Sequence, residues 1–359
     1  MIQEAITKLV ERQDLSESEM TEVMNEITEG IATHAQIGAF LVALRMKGES
    51  VEEIAAAAQV LRSKCTPIPA GSRVCLDRDE INIDRETIVD TCGTGGDGTR
   101  TFNVSTTTAF VVAGGGLKVA KHGNRSVSSR CGSADVVEKL GIPLDLTPAQ
   151  VAACIDQVGI GFLYAPLLHS AMKHVVAARR QIGLRTIFNI LGPLANPAGA
   201  NVQVLGVYQE HLTETMAHVL GRLGCKSAFV VHGAGCYDEI SITGPSKITR
   251  LAHGNISTTT LYPEDVGLAT AHPDAIVGGD ATENAQITLA VLKGEPGPRR
   301  DMVLLNAAAA FVAADCATGF PEGVALAAES IDSGRALKKL HNLIELANHM
   351  TTIPCAITG

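Results

Sequence analysis

The segment Asp90-Thr-Cys-Gly-Thr-Gly-Gly-Asp-Gly98 follows an apolar stretch around Ile88 and Val89 and leads through Asn103-Val-Ser-Thr106 into the apolar segment Ala109–Ala113. That order predicts a strand, a glycine-rich loop and a helix. A second segment, Lys121-His-Gly-Asn-Arg125, follows Leu117–Ala120 and runs through Ser126–Ser129 and Gly132-Ser-Ala-Asp135 into the helix-like run Val136–Leu140. Glycines let the backbone approach a ligand closely, and the start of a helix leaves amide donors unpaired beside a partial positive charge. Two successive strand ends would then aim amides, hydroxyls and cations at one place. A ligand with two separated phosphate groups is the natural occupant.

Two familiar nucleotide sites fit less well. Gly93, Gly95 and Gly98 satisfy G-x-G-x-x-G, but a dinucleotide site needs an acidic residue ~20 positions later at the next strand end. Lys121 and His122 stand there instead. The spacing from Gly93 to Gly98 also suits a P-loop, yet Thr99 occupies the position where lysine is required. Either loop alone would read equally well as a tight turn; their recurrence at successive strand ends favours a ligand.

Two further features carry chemistry. Asp238-Glu239 follows the apolar run Ala228-Phe-Val-Val-His232 and the glycines Gly233 and Gly235. Adjacent carboxylates after a strand suit Mg²⁺, although by residue type alone two solvated acids in a turn is the better reading. Arg179 and Arg180 lie on a helix expected over Pro166–Ile182. Guanidinium matches a carboxylate in a planar fork, but a paired arginine on a helix is as readily a solvated face. No zinc-type spacing accompanies the nine cysteines, and Cys92 inside the first loop reads as small-residue packing rather than a reactive thiol.

The elements that must position these groups fall into two patterns. Residues 1–64 read as four helices, with Ser16/Glu19, Thr33/Gln36 and Ser50/Glu53 at capping-box spacing. Cys65-Thr-Pro-Ile-Pro-Ala-Gly71 breaks helix. From about Thr87, short apolar runs are followed by helices, including one over Pro321–Ser333, the sign of an α/β unit with a largely parallel sheet. A small N-terminal helical domain (1–70) plus a larger α/β domain (71–359) with a mostly parallel central sheet is therefore expected. The net charge of −9 argues against a general nucleic-acid or acidic-membrane binder. Lys118, Lys121, Arg125 and Arg130 nevertheless concentrate positive charge near the loops. The amphipathic Met1–Gln13 reads as neither a signal peptide nor a membrane span, so a reducing cytoplasmic home is expected.

The strings DTCGTGGDG (90–98), FNVST (102–106), KVAKHGNRSVSS (118–129), CGSADVVEKLG (131–141), LRTIFNILGPLANP (184–197) and GGDATENAQ (278–286) resemble the anthranilate phosphoribosyltransferase family over nearly the whole chain. The resemblance implies a fold like that of nucleoside phosphorylases and phosphoribosyltransferases, with a helical segment near 165–185 returning to the small domain. It implies transfer of phosphoribose from phosphoribosyl pyrophosphate to anthranilate in tryptophan biosynthesis, Mg²⁺ as cofactor, and a homodimer through the helical domain.

The implied donor contacts in the first loop are Gly93, Gly96, Asp97, Thr101, Asn103, Val104, Ser105 and Thr106. In the second they are Lys121, His122, Gly123, Asn124, Arg125, Ser126, Val127, Ser128, Ser129 and Ser133. Gly93, Asn124 and Arg179 are implied for anthranilate, and Ser105, Asp238 and Glu239 for the metal. Cys236-Tyr237 and Ala177-Ala178 depart from the family's Gly-Leu and Pro-Val. No residue of the implied site acts as a strong general base. A nucleoside phosphorylase and a non-catalytic nucleic-acid-binding relative of the fold are the alternatives.

Overall fold

The computed structural model describes residues 1–71, 86–96, 98–126 and 131–352. Helices α1 (Ile2–Val10), α2 (Glu17–Thr28), α3 (His34–Lys47) and α4 (Val51–Lys64) open the chain. All three anticipated capping boxes form: the Ser16, Thr33 and Ser50 hydroxyls accept from the amides of Glu19, Gln36 and Glu53, whose side chains accept from the first residue's amide in return. Each box satisfies two amides that the helix start leaves unpaired.

Strands and helices then alternate: β1 (Ile88–Gly93), α5 (Val104–Gly114), β2 (Lys118–Gly123), α6 (Ser133–Lys139), α7 (Pro148–Val158) and β3 (Ile160–Tyr164). Helices α8 (Ala165–Leu168), α9 (Lys173–Ile182) and α10 (Phe188–Leu194) precede β4 (Val202–Gly206), α11 (Leu212–Arg222) and β5 (Ser227–Gly233). A hairpin, β6 (Ser246–Ala252) and β7 (Asn255–Leu261), completes the sheet, and α12 (Ala281–Leu292), α13 (Pro298–Ala313), α14 (Phe320–Asp332) and α15 (Arg335–Thr352) follow. The strand order is β3-β2-β1-β4-β5-β6-β7. The first five strands run parallel, and β6 and β7 are antiparallel to their neighbours. The carboxyl ends of β2, β1, β4 and β5 therefore lie side by side, so their loops share one edge, where ligands of open α/β sheets bind.

Strand side chains alternate between faces, and the core divides accordingly. Val204, Phe229 and Val231 join α5, α13 and α15 on one side, while Leu205, Ala228 and Val230 join the first four helices, α9 and α11 on the other. The core of the N-terminal helices thus continues onto one face of the sheet. Arg62, near the end of α4, fastens the two together: its Nε donates to the Leu194 carbonyl (2.6 Å) and its guanidinium to the Leu223 carbonyl (3.1 Å), at the C-terminal ends of α10 and α11. A cation there meets the negative end of each helix dipole. Arg62→Ala is expected to cost about 1.5–3 kcal/mol, read as a lower denaturation midpoint, with Arg62→Lys recovering only part because one ammonium cannot span both carbonyls as a fork does.

The helix expected over Pro166–Ile182 is not continuous. His169 leaves helical geometry (φ −120°, ψ 61°) between α8 and a single 3₁₀ turn, Ser170–Met172, before α9 begins. The break lets its ring face His122, a tertiary contact that helical periodicity does not reveal. Helix α9 packs on α2 and α3 and runs unbroken through Ala177–Ala178, where a proline would remove a backbone donor.

Candidate active site

The first loop turns through Gly95 (φ 65°) and Gly96 (φ 68°), left-handed positions that glycine adopts without a Cβ penalty. Onto it descends the Asp238-Glu239 segment from the end of β5. Asp238 Oδ2 accepts from the Gly95 amide at 2.7 Å, and Glu239 Oε1 accepts from the Ser105 amide, in the first turn of α5, at 3.0 Å. The approach is so close that a Cβ on Gly93 or Gly206 would overlap Asp238. Asn103 occupies the N-cap of α5 without a side-chain cap hydrogen bond, and its Oδ1 instead accepts from Asn284 Nδ2 at 2.9 Å. The buried Glu239 carboxylate therefore supplies the acceptor that a capping side chain normally provides.

The departure at Cys236-Tyr237 is absorbed locally. Cys236 takes φ 66°, a conformation natural to the glycine it replaces, while the Tyr237 ring packs against Gly235 and its backbone pairs with Gly233. Both carboxylates still reach the loop.

Lys121 is buried, with Nζ donating to the Thr91 carbonyl and, at 3.1 Å, to Ser105 Oγ. The fully buried Asp90 lies nearby, where burial raises its pKa against the opposing pull of Lys121; its carboxylate accepts from Asn196 Nδ2 at 2.8 Å and from the His122 amide at 3.4 Å. Thr106 turns its side chain inward beside Phe110 and Phe162, and Val104 is buried. Thr101 pairs with Val277, so the GGDATENAQ region braces this loop through Thr101, Asn103 and the Thr107–Thr288 hydroxyl pair at 2.9 Å. Cys92 faces the helical side of the core, and burial pushes its thiol well above the ordinary range, which leaves it a packing residue.

In the second loop, Gly123 packs against Ser133, whose hydroxyl accepts from the Asn124 amide at 3.2 Å. Asp135 ties the loop to α6: its carboxylate accepts from the amides of Gly132 (2.9 Å) and Ser126 (3.2 Å) and from the Arg125 guanidinium (2.9 Å). Burial works to raise the Asp135 pKa, but these hydrogen bonds outweigh it and hold the carboxyl low. Arg125 also pairs with Glu138 at 2.9 Å. Lys118 lies at the opposite end of β2, bound to Glu86 (2.8 Å) and Asp156 (3.0 Å), and so does not belong to the concentration of positive charge expected at the loops. Asp97, Val127, Ser128, Ser129 and Arg130 lie outside the described residues.

His122 and His169 meet Nε2 to Nε2 at 3.1 Å. Burial lowers the His122 pKa to about 3, assisted by His169 and Lys121, and lowers that of His169 to about 4. Both rings are therefore neutral in the fold, while in the unfolded chain they titrate near 6.5. Their contribution is fully present above that value and is lost as pH falls from about 6.5 toward 4 and then 3, by up to about 1.4 kcal/mol per pH unit for each ring. Denaturation midpoints measured from about pH 7 to pH 4 should fall less steeply for His122→Gln than for the parent. Parallel slopes would exclude this linkage.

On α9, Arg179 and Arg180 diverge. Arg180 is exposed, whereas Arg179 is half-buried with its guanidinium 5.7 Å from the Phe188 ring, and burial lowers its pKa. A desolvated guanidinium gains more from a carboxylate than a hydrated one does. The next turn leads to α10, whose first residue, Phe188, carries that ring.

Residues 85–337 match the glycosyl transferase family a/b domain, and residues 3–65 its helical bundle domain. The anthranilate phosphoribosyltransferase of Geobacter sulfurreducens is 59% identical over 349 residues, covering 97% of this chain and 100% of that one. The chain belongs to the anthranilate phosphoribosyltransferase family. The family member from Thermus thermophilus superposes with a TM-score of 0.88 at 41% identity, covering 96% of this chain and 99% of that one. The Saccharomyces cerevisiae member, solved in complex with PRPP and Mg, gives 0.85 at 29% identity over 97% and 98% of the two chains. The helical bundle followed by an α/β domain is thus family architecture in this chain.

Sequence reasoning did not single out Asn196, Asn284 or Asp135. Asp135 carried a signal, an acid at the third helical position after Gly132, which is capping-box spacing. Asn196 and Asn284 carried none, because their partners are brought to them by the sheet.

Proposed function

We infer that the protein transfers the 5-phosphoribosyl group of phosphoribosyl pyrophosphate to the amine of anthranilate, releasing pyrophosphate. The observation that carries this reading is the seating of Asp238 and Glu239 on the amides of the glycine loop and the α5 start. Those amides are natural phosphate donors, so two carboxylates there would repel a pyrophosphate unless a cation stood between. The donor set, two carboxylates and the Ser105 hydroxyl, is all hard oxygen and fits Mg²⁺, which binds through one or two carboxylates together with substrate phosphates. Asp238, Glu239 and Ser105 would hold the ion, which when bound neutralises charge on the departing pyrophosphate.

The anthranilate amine is a neutral nucleophile, so the chain's task is positioning and electrostatic stabilisation rather than strong base catalysis. Arg179 orients the acceptor by its carboxylate. Loop amides and the Lys121–Ser105 pair organise the donor. The C1–N bond forms as the C1–O bond breaks, pyrophosphate takes the electron pair, the amine's proton passes to solvent, and C1 inverts. The helical unit 1–70 with its returning α9 forms the acceptor side of the cleft, and the unit from 71 onward forms the donor side.

A homodimer through the helical unit is supported by exposed apolar side chains on its elements, Val10, Ile31, Met46 and Val176 among them. Cys65, Cys92, Cys154, Cys225, Cys236 and Cys316 are free thiols, which supports a reducing cytoplasmic location. No described helix is long and apolar enough to cross a membrane.

The test is loss of anthranilate fluorescence, which should require both phosphoribosyl pyrophosphate and Mg²⁺. Phosphorolysis of a pyrimidine nucleoside without anthranilate turnover would replace this reading with a phosphorylase. Salt-dependent DNA binding without turnover would replace it with a nucleic-acid binder.

A further inference from the structure

Arg185 lies in the short turn between α9 and α10, outside both loops. Gly183 ends α9 in a left-handed cap, and the chain then crosses toward the sheet. The Arg185 guanidinium stacks over the Tyr208 ring at 4.6 Å and lies against Gly96, where an added Cβ would sit 3.4 Å from its Nε. Tyr208 is a fixed platform: its side chain is buried just beyond β4, and its amide donates to Thr94 Oγ1 at 3.1 Å. The Tyr208 amide and the Arg185 guanidinium therefore both contact the first loop, at Thr94 and Gly96. A guanidinium held over an aromatic face keeps its charge and its N–H donors, which suit bidentate capture of phosphate oxygens.

Among the described residues, the cations anticipated for this edge are committed elsewhere. Arg125 is held by Asp135 and Glu138, Lys118 by Glu86 and Asp156, and Lys121 by the Thr91 carbonyl and Ser105 Oγ. Arg185 is exposed and forms no ion pair with a described carboxylate; Glu49, which also lies near Tyr208, is within 3.9 Å of Arg45 instead. We propose that Arg185 binds the diphosphate of the donor, and of the pyrophosphate product, across the Gly96 turn. This role rests on the transferase reading above.

Parent turnover of anthranilate is measured first, so that failure of the transferase reading is seen independently of any variant. Mg²⁺-dependent binding of inorganic pyrophosphate and of phosphoribosyl pyrophosphate is then titrated by calorimetry for the parent, Arg185→Ala, Arg185→Lys and Arg185→Met. The Ala variant should bind both diphosphates roughly tenfold to a hundredfold more weakly, with the KM for anthranilate little changed and the melting temperature preserved. Lysine should recover part of the loss. Methionine, which keeps a stem on the Tyr208 ring without charge, should behave like alanine. Parental pyrophosphate binding in the Met variant would show that Arg185 only braces the turn, and a rise confined to the anthranilate KM would place it on the acceptor; either result overturns the proposal.

Discussion

Replacing Asp238 by Asn and Glu239 by Gln together is expected to lower kcat/KM for phosphoribosyl transfer on the order of a thousandfold, about 4 kcal/mol of transition-state stabilisation. The amide side chains keep an oxygen for the Gly95 and Ser105 amides, so the hydrogen bonds that seat the acidic segment survive. What disappears is charge. An Ala pair would confound the two, because it also leaves the amide at the α5 start without its acceptor. Thermal unfolding of the Asn/Gln variant should match the parent, while a Mg²⁺ titration of turnover should fail to saturate in the parental range. Chelation of the parent should produce the same loss. A folded variant with near-parental, Mg²⁺-dependent turnover would remove the acidic pair from the metal site.

Arg179→Ala should raise the KM for anthranilate roughly tenfold to a hundredfold, the value of a charge-assisted contact of about 1.5–3 kcal/mol. The neighbouring Arg180 provides a control one residue away: it is exposed, so Arg180→Ala should leave acceptor binding nearly intact. Aniline keeps the amine and lacks the carboxylate. It should be a poor substrate for the parent and should lose little further in Arg179→Ala. Arg179→Lys should recover only part of the loss, because charge returns without the planar fork and without guanidinium stacking on Phe188. Steady-state kinetics with both amines on the four proteins decide it. Equal losses for anthranilate and aniline would mean that Arg179 supports the cleft through its packing and does not read the carboxylate.

Spacing within a few residues determined the capping boxes at Ser16, Thr33 and Ser50 and the two strand–loop–helix units, because each rests on contacts between residues close in the chain; alternation of strands with helices pointed to the mostly parallel sheet, whose pairings, such as Val89 with Val202, are themselves long-range. The loop strings also carried enough of the family pattern to point to the reaction. Tertiary structure alone decided which charges meet. Asp238 reaches Gly95 across 143 residues and Glu239 reaches Ser105 across 134, because β5 and β1 flank β4 in the sheet. The same long-range packing broke the expected 166–182 helix at His169 and set Lys118 and Lys121, three positions apart, at an edge and in the interior. It delivered Arg185 to the glycine turn from a different element, whereas Arg125 is committed to α6 by partners 10 and 13 residues away. Local patterns state what a segment can offer a ligand. Which offers remain open depends on the partners that the sheet order brings alongside, and those partners lie far away in sequence.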